Sequence, residues 1–141
     1  VEKDLTFNLL NLQKQIKKKV VITSFNNKFG YYKNLKKENA KIKSSKRLVI
    51  IENSNLFYFE RLIKYSLCTI SCHSGFIVHV AGANSARLID IINKVDLKWY
   101  SCWIPKNISH KFIIKENRKG KISVTNIFIS LIKEIKKFKS F

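Results

Sequence analysis

The sequence predicts an α/β fold, a Rossmann-like parallel sheet with helices on both faces. Two observations carry the prediction. Short unbroken runs of branched apolar residues recur along the chain, and stretches of helical periodicity separate them. Strands buried on both faces read as continuous apolar runs, and their alternation with helices gives parallel pairing. The 141 residues, 45% of them apolar, are enough for one domain, read as 1–141, with a real core, and they exclude a disordered tail.

The elements follow in order. Leu5, Leu9, Leu12 and Ile16 recur at steps of four, three and four, the apolar face of a helix from about Asp4 to Lys18. Val20 to Thr23 is a short β-branched strand, and Ser24 to Asn27 a polar loop at its C-terminal end. Tyr31 to Glu38 reads as a short helix and Lys41 to Lys46 as a solvated connector. Leu48 to Ile51 is the second strand, after which Asn53 to Asn55 offer a helix cap. Leu56, Phe59 and Ile63 give helical spacing as far as Tyr65. Leu67 to Ser71 is the third strand, Cys72 to Gly75 a tight loop, and Ile77 to Ala83 a buried helix. Leu88 to Ile92 is the fourth strand. Asn93 to His110, holding both tryptophans and the one proline, reads as irregular. Val124, Ile127, Phe128, Leu131, Ile135 and Phe138 mark a closing amphipathic helix.

The formal charge is +19, with lysine outnumbering arginine 24 to 4. Readers of nucleic acid lean on arginine for bidentate contacts, so this excess fits a composition bias better than a nucleic-acid surface. The lysines are spread over loops and helix backs, and no basic strand interleaved with aromatics appears. Nucleic acid is therefore not an expected partner, although a nonenzymatic basic module binding nucleic acid or an anionic membrane is the alternative class. Cys68, Cys72 and Cys102 are odd in number, lack metal spacing, and read as buried, reduced filler. No apolar run approaches the ~20 residues of a membrane span. A cytoplasmic location is expected. The chain has no methionine and starts at Val1, so an N-terminally incomplete piece of a longer protein is expected.

In a parallel sheet, ligands bind beyond the C-terminal strand ends. The most informative stretch there is Thr69 to Ala83. A strand runs into Ser74-Gly75, and a helix begins. Gly75 lets a ligand approach the backbone, and the first-turn N–H groups then face it. This geometry suits an anion, and a diphosphate in particular. Ser74 adds a hydroxyl donor, and His73 and His79 can donate to phosphate or sugar oxygens.

Here the sequence resembles the family 9 glycosyltransferases, which include the ADP-heptose:lipopolysaccharide heptosyltransferases. Leu62 to Ser71 is similar to the helix and strand before the family signature. His73-Ser74-Gly75 followed by His79-Val80-Ala81 is similar to its Asp-Thr-Gly-x-x-His-x-Ala pattern. Arg87 to Ile92, leading to Trp103-Ile104-Pro105, resembles its next strand and proline-containing loop, and Leu5 to Ser24 resembles the first helix and second strand of the donor domain. His73 replaces the family's Asp, and the Gly-to-His gap is one residue longer. The resemblance implies the C-terminal, donor-binding half of a GT-B fold, begun after its first strand. It also implies an acceptor domain upstream that holds the catalytic base, and metal-independent transfer. The expected partners are a nucleotide diphosphate sugar and a lipopolysaccharide or other glycan or lipid-linked acceptor. No cofactor or metal is expected, and the fragment alone is expected to be inactive.

Glu52, after the second strand, can accept hydrogen bonds from ribose, and Ser24 can line the same crevice. Asn53 and Asn55 read first as helix caps. Trp99, Tyr100 and Trp103 read either as stacking groups for a base or sugar or as packing. Lys133 to Lys139 reads first as a solvated face and second as a peripheral contact with the inner membrane face.

Overall fold

In the computed structural model of the chain, residues 2–24, 48–52, 55–72, 74–117 and 120–138 are described. The helix expected over Tyr31 to Glu38 and the connector from Lys41 to Lys46 lie outside them. The chain divides into two compact units, Val1–Leu56 and Phe57–Phe141.

The first unit opens with α1, Glu2–Ile16. Leu12 and Ile16 are buried on one side of it. The helix stops two residues before the expected Lys18, because Lys17 takes a left-handed backbone conformation with φ 53°. From there its N–H still reaches the Gln13 carbonyl at 3.2 Å. Strands β1, Val20–Ser24, and β2, Leu48–Glu52, then pair in parallel from Val20↔Leu48 to Ser24↔Glu52.

Helix α2, Leu56–Tyr65, belongs to the second unit from Phe57 onward and buries Phe59 and Ile63 at a spacing of four. Its sheet has three parallel strands in the order β3-β4-β5: Thr69–Ser71, Leu88–Ile92 and His110–Ile114. The third strand begins later than its apolar run suggests. Ser66 holds a turn there, its hydroxyl donating to the Ile63 carbonyl at 2.9 Å and lying 3.2 Å from the Thr69 hydroxyl. Helix α3, Gly75–Ala83, connects β3 to β4. It is not buried throughout as expected. Val78, Ala81 and Gly82 are buried, while Phe76 and His79 are exposed, because only one side of the helix faces the core.

The stretch from Asn93 to His110 is more regular than expected. A 3-10 turn, Lys94–Asp96, leads into α4, Leu97–Trp103, and β5 starts at His110. Beyond β5, β6, Glu116–Asn117, pairs antiparallel with β7, Gly120–Lys121. The last helix, α5, Val124–Lys137, is capped by Ser123, whose hydroxyl accepts from the Asn126 N–H at 3.3 Å.

All five residues of the central strand β4 are buried. Leu88 sits in one core cluster with Phe59 and Ile63 of α2, Val78 and Ala81 of α3, and Tyr100 of α4. Alternation along the strand turns Ile89 and Ile91 to the other face. These are buried too, and α5 packs against β5. Arg87 closes this side, donating to the Phe138 carbonyl at 3.3 Å while its guanidinium lies 5.5 Å from the Phe138 ring centre.

Candidate functional site

The parallel sheet ends on one crest, where β3, β4 and β5 give way to Cys72, Asn93 and Lys115. Ser71, the last residue of β3, is buried, and its hydroxyl accepts from the Ser74 N–H at 3.1 Å. That bond turns the chain sharply from strand to helix. Ser74 is the N-cap of α3: its carbonyl accepts from Val78 at 3.1 Å and its hydroxyl oxygen from Ile77 at 3.5 Å. A Ser side chain satisfies an orphan donor in this way. One first-turn amide is thereby taken up by the protein, and the hydroxyl hydrogen of Ser74 remains to be donated.

Gly75 is the first residue of α3 and is exposed. A Cβ built there would meet nothing within 4 Å. Neither crowding nor a positive φ requires a glycine at this place. The close approach that does demand a missing side chain lies at the far end of the helix. A Cβ on Gly82 would run into Cγ of Pro105 and stand 2.8 Å from its Cβ, and the Gly82 carbonyl accepts from Asn107 Nδ2 at 3.2 Å.

His79 is exposed on the second turn of α3, pointing away from the core, and His73 lies outside the described residues. Ser24 and Glu52 are not loop residues but the last residues of β1 and β2. They are register partners at the C-terminal end of that ladder. They belong to the first unit, whereas Ser74, Gly75 and His79 belong to the second. Asn55 immediately precedes α2, and Asn53 lies outside the described residues.

Lys115 was not legible as a site residue among so many lysines. It follows β5 and is partly buried, with its N–H donating to the Ile92 carbonyl at 2.8 Å. Its charge reaches across the crest to Cys72. Burial raises the Cys72 thiol pKa, Lys115 pulls it down, and Asp90 adds a smaller upward push. The expectation of buried cysteines holds for none of the three in full: Cys68 is half-buried, and Cys72 and Cys102 are exposed. Burial still pushes the Cys68 thiol up to about 11, against a smaller downward pull from Arg87, so it is no nucleophile at neutral pH.

Beneath the crest lies a polar cluster that no motif announced. Asp90, in the middle of β4, is 0% exposed, and its register partners are Ser71 and Phe112. Tyr100 of α4 is buried beside it. Desolvation first, and then the neighbouring Asp90 carboxylate, raise the Tyr100 pKa far above 10. His110 stands 6.2 Å from the Tyr100 ring and 4.3 Å from that of Phe112, centre to centre. Burial lowers its pKa, against a smaller upward pull from Asp90. Tyr100 thus packs inside the molecule and is not available to stack on a ligand. Trp99 is exposed, and the side chain of Trp103 lies outside the described residues. The signal for the cluster was an aspartate set within Leu88-Ile89-Asp90-Ile91-Ile92, since a buried carboxylate requires partners.

Among the described residues, no three His, Cys, Asp or Glu side chains gather as metal ligands do, and no helix is long and apolar enough to cross a membrane. Comparison with family models, curated proteins and solved structures gives no match to this chain.

Proposed function

We propose that this chain is the donor-binding part of a GT-B glycosyltransferase, one that moves a sugar from a nucleotide diphosphate sugar to a lipopolysaccharide or other surface-glycan acceptor. The observation that carries the reading is the opening of α3. Strand β3 runs through a Ser71–Ser74 hydrogen bond directly into an exposed Gly75, and Lys115 follows β5 on the same crest. The partial positive charge of a helix start favours a bound diphosphate, and its N–H groups supply directed donors. Lys115 supplies the counter-charge. When the sugar departs, negative charge builds on the distal phosphate, and fixed donors already aimed there stabilise it without reorganising. The resemblance to family 9 around His73 to Ala83 supplies the sugar-transfer chemistry. The base is expected from another domain.

The test is calorimetric titration of the chain with nucleoside diphosphates. Gly75→Val places a branched side chain where the ligand needs the backbone, and its Cβ meets no protein atom within 4 Å, so it should abolish binding with the circular dichroism unchanged. Lys115→Gln and His79→Ala should each weaken binding by about 1–2 kcal/mol, the scale of one hydrogen bond to a charged group. Cys68→Ala should leave affinity unchanged. Equal affinity of the parent and Gly75→Val would move the donor site elsewhere.

A further inference from the structure

We propose that the outer face of the 3-10 turn and α4 docks on the surface of an anionic phospholipid bilayer. The inner face of this segment is committed to the core: Tyr100 is buried, and Ile104, just past the helix end, packs against the core cluster. The outer face carries two large apolar side chains in water, Val95 at 74% exposure and Trp99 at 72%. They are four residues apart, one on the 3-10 turn and one in the first turn of α4. Lys94, Lys98 and Lys106, close to them in sequence, are exposed as well. Asp96 is the single acid between residues 94 and 106, and its carboxylate accepts a hydrogen bond from Asn93 Nδ2 at 2.9 Å.

An exposed tryptophan with exposed lysines near it in sequence fits the headgroup region of a membrane on both counts. The indole is apolar with one polar edge and favours that boundary, while lysines bury their stems and keep their charges at the anionic surface. The chain's formal charge of +19 adds long-range attraction of the same sign. A single-stranded nucleic acid fits less well, since it calls for a series of stacking aromatics and favours arginine. The contact is peripheral: the exposed face is one to two turns long, and α4 itself ends at Trp103.

The proposal stands apart from the sugar-nucleotide reading, and its test contains no nucleotide. The whole chain is sedimented with vesicles of phosphatidylcholine alone and with vesicles containing phosphatidylglycerol. Binding is expected only to the latter. Trp99→Ser should lower the partition coefficient about tenfold, the effect of losing one large buried apolar side chain. Lys94→Ser with Lys98→Ser should weaken binding and its salt dependence together. All three positions are exposed, so circular dichroism should not change. A charge-only variant of α5, Lys133→Ser with Lys136→Ser and Lys137→Ser, serves as the control and should lose less than Trp99→Ser. Equal partition of the parent and Trp99→Ser would overturn the proposal, as would a greater loss from the α5 variant. Trp99-dependent binding to an oligonucleotide, or Trp99-dependent self-association, in the absence of vesicle binding would also overturn it.

Discussion

Asp90 occupies the most demanding position in the chain, a carboxylate in the centre of the middle strand with no exposed surface. Tyr100 of α4 and His110 of β5 share that interior with it. His110 has both ring nitrogens buried without a hydrogen-bond partner among the described residues. Its folded pKa lies below 6.5, so the folded state resists the proton that the unfolded chain accepts. Stability is then complete above pH 6.5 and falls as the pH drops towards the folded pKa. Urea midpoints should therefore decline between pH 7.5 and pH 5, and His110→Leu should flatten that decline; an unchanged slope would mean that another group sets it. Two glycines divide in the same way by their surroundings. Gly82 has Pro105 against it, so Gly82→Ala should destabilise by about 1–3 kcal/mol through overpacking, despite the better helix propensity of alanine. Gly75 has open space, so Gly75→Ala should be neutral or stabilise by up to about 1 kcal/mol. Denaturant titration of the pair decides whether close packing or ligand access accounts for each.

At the scale of elements, α3 shows how local chemistry sets a boundary. After Asn84 the Ser85 N–H donates to the Gly82 carbonyl at 3.1 Å and the Ala86 N–H to the Ala81 carbonyl at 2.9 Å. This is a Schellman ending, with Ser85 left-handed at φ 50°, where glycine is the usual residue. Ser85→Gly should raise stability by about 0.5–1 kcal/mol, the strain relieved less the extra freedom of the unfolded glycine. A lower thermal midpoint would show that the serine side chain contributes something the backbone geometry conceals. Elements of this kind were legible where the pattern was long. Helix α5 follows the spacing of Val124 to Phe138, and β4 follows its apolar run. Helix α4 and strand β5 were not legible. Helix α4 has seven residues, among them two tryptophans and a tyrosine, which are weak helix formers. In β5 only Phe112-Ile113-Ile114 are apolar, and both flanks are basic. Their places are fixed by pairing with β4 and by packing around Leu88, which are contacts distant in sequence. The site divides along the same line. The strand–turn–helix of Ser71 to Gly75 was visible because its parts are adjacent. Lys115 was not, because it reaches the crest only through the order β3-β4-β5.

Over the whole molecule the dominant fact is charge. The chain carries 28 lysines and arginines against 9 aspartates and glutamates. The few acids include Asp90, which is consumed in the interior, and Glu134, which pairs with Lys137 at 2.6 Å on the exposed side of α5. Exposed pairs of this kind contribute little, about 0–1 kcal/mol each. Basic residues outnumber acidic ones 28 to 9, and a folded chain with a net charge this far from zero repels itself. Screening should relieve the repulsion. The Debye length shrinks from about 30 Å at 0.01 M salt to about 8 Å at 0.15 M, shorter than the span of a chain this size. The unfolded chain holds the same charges farther apart, so salt stabilises the folded form more than the unfolded one. Raising sodium chloride across that range should lift the thermal midpoint by roughly 3–5 °C, which corresponds to about 1 kcal/mol for a chain of this length. Polyanions that bind the folded surface should raise it further at equal ionic strength, because binding the native state alone stabilises it by mass action. A midpoint that falls with sodium chloride would show instead that attractive ion pairs outweigh the repulsion, and that the lysines are arranged more specifically than an evenly basic surface.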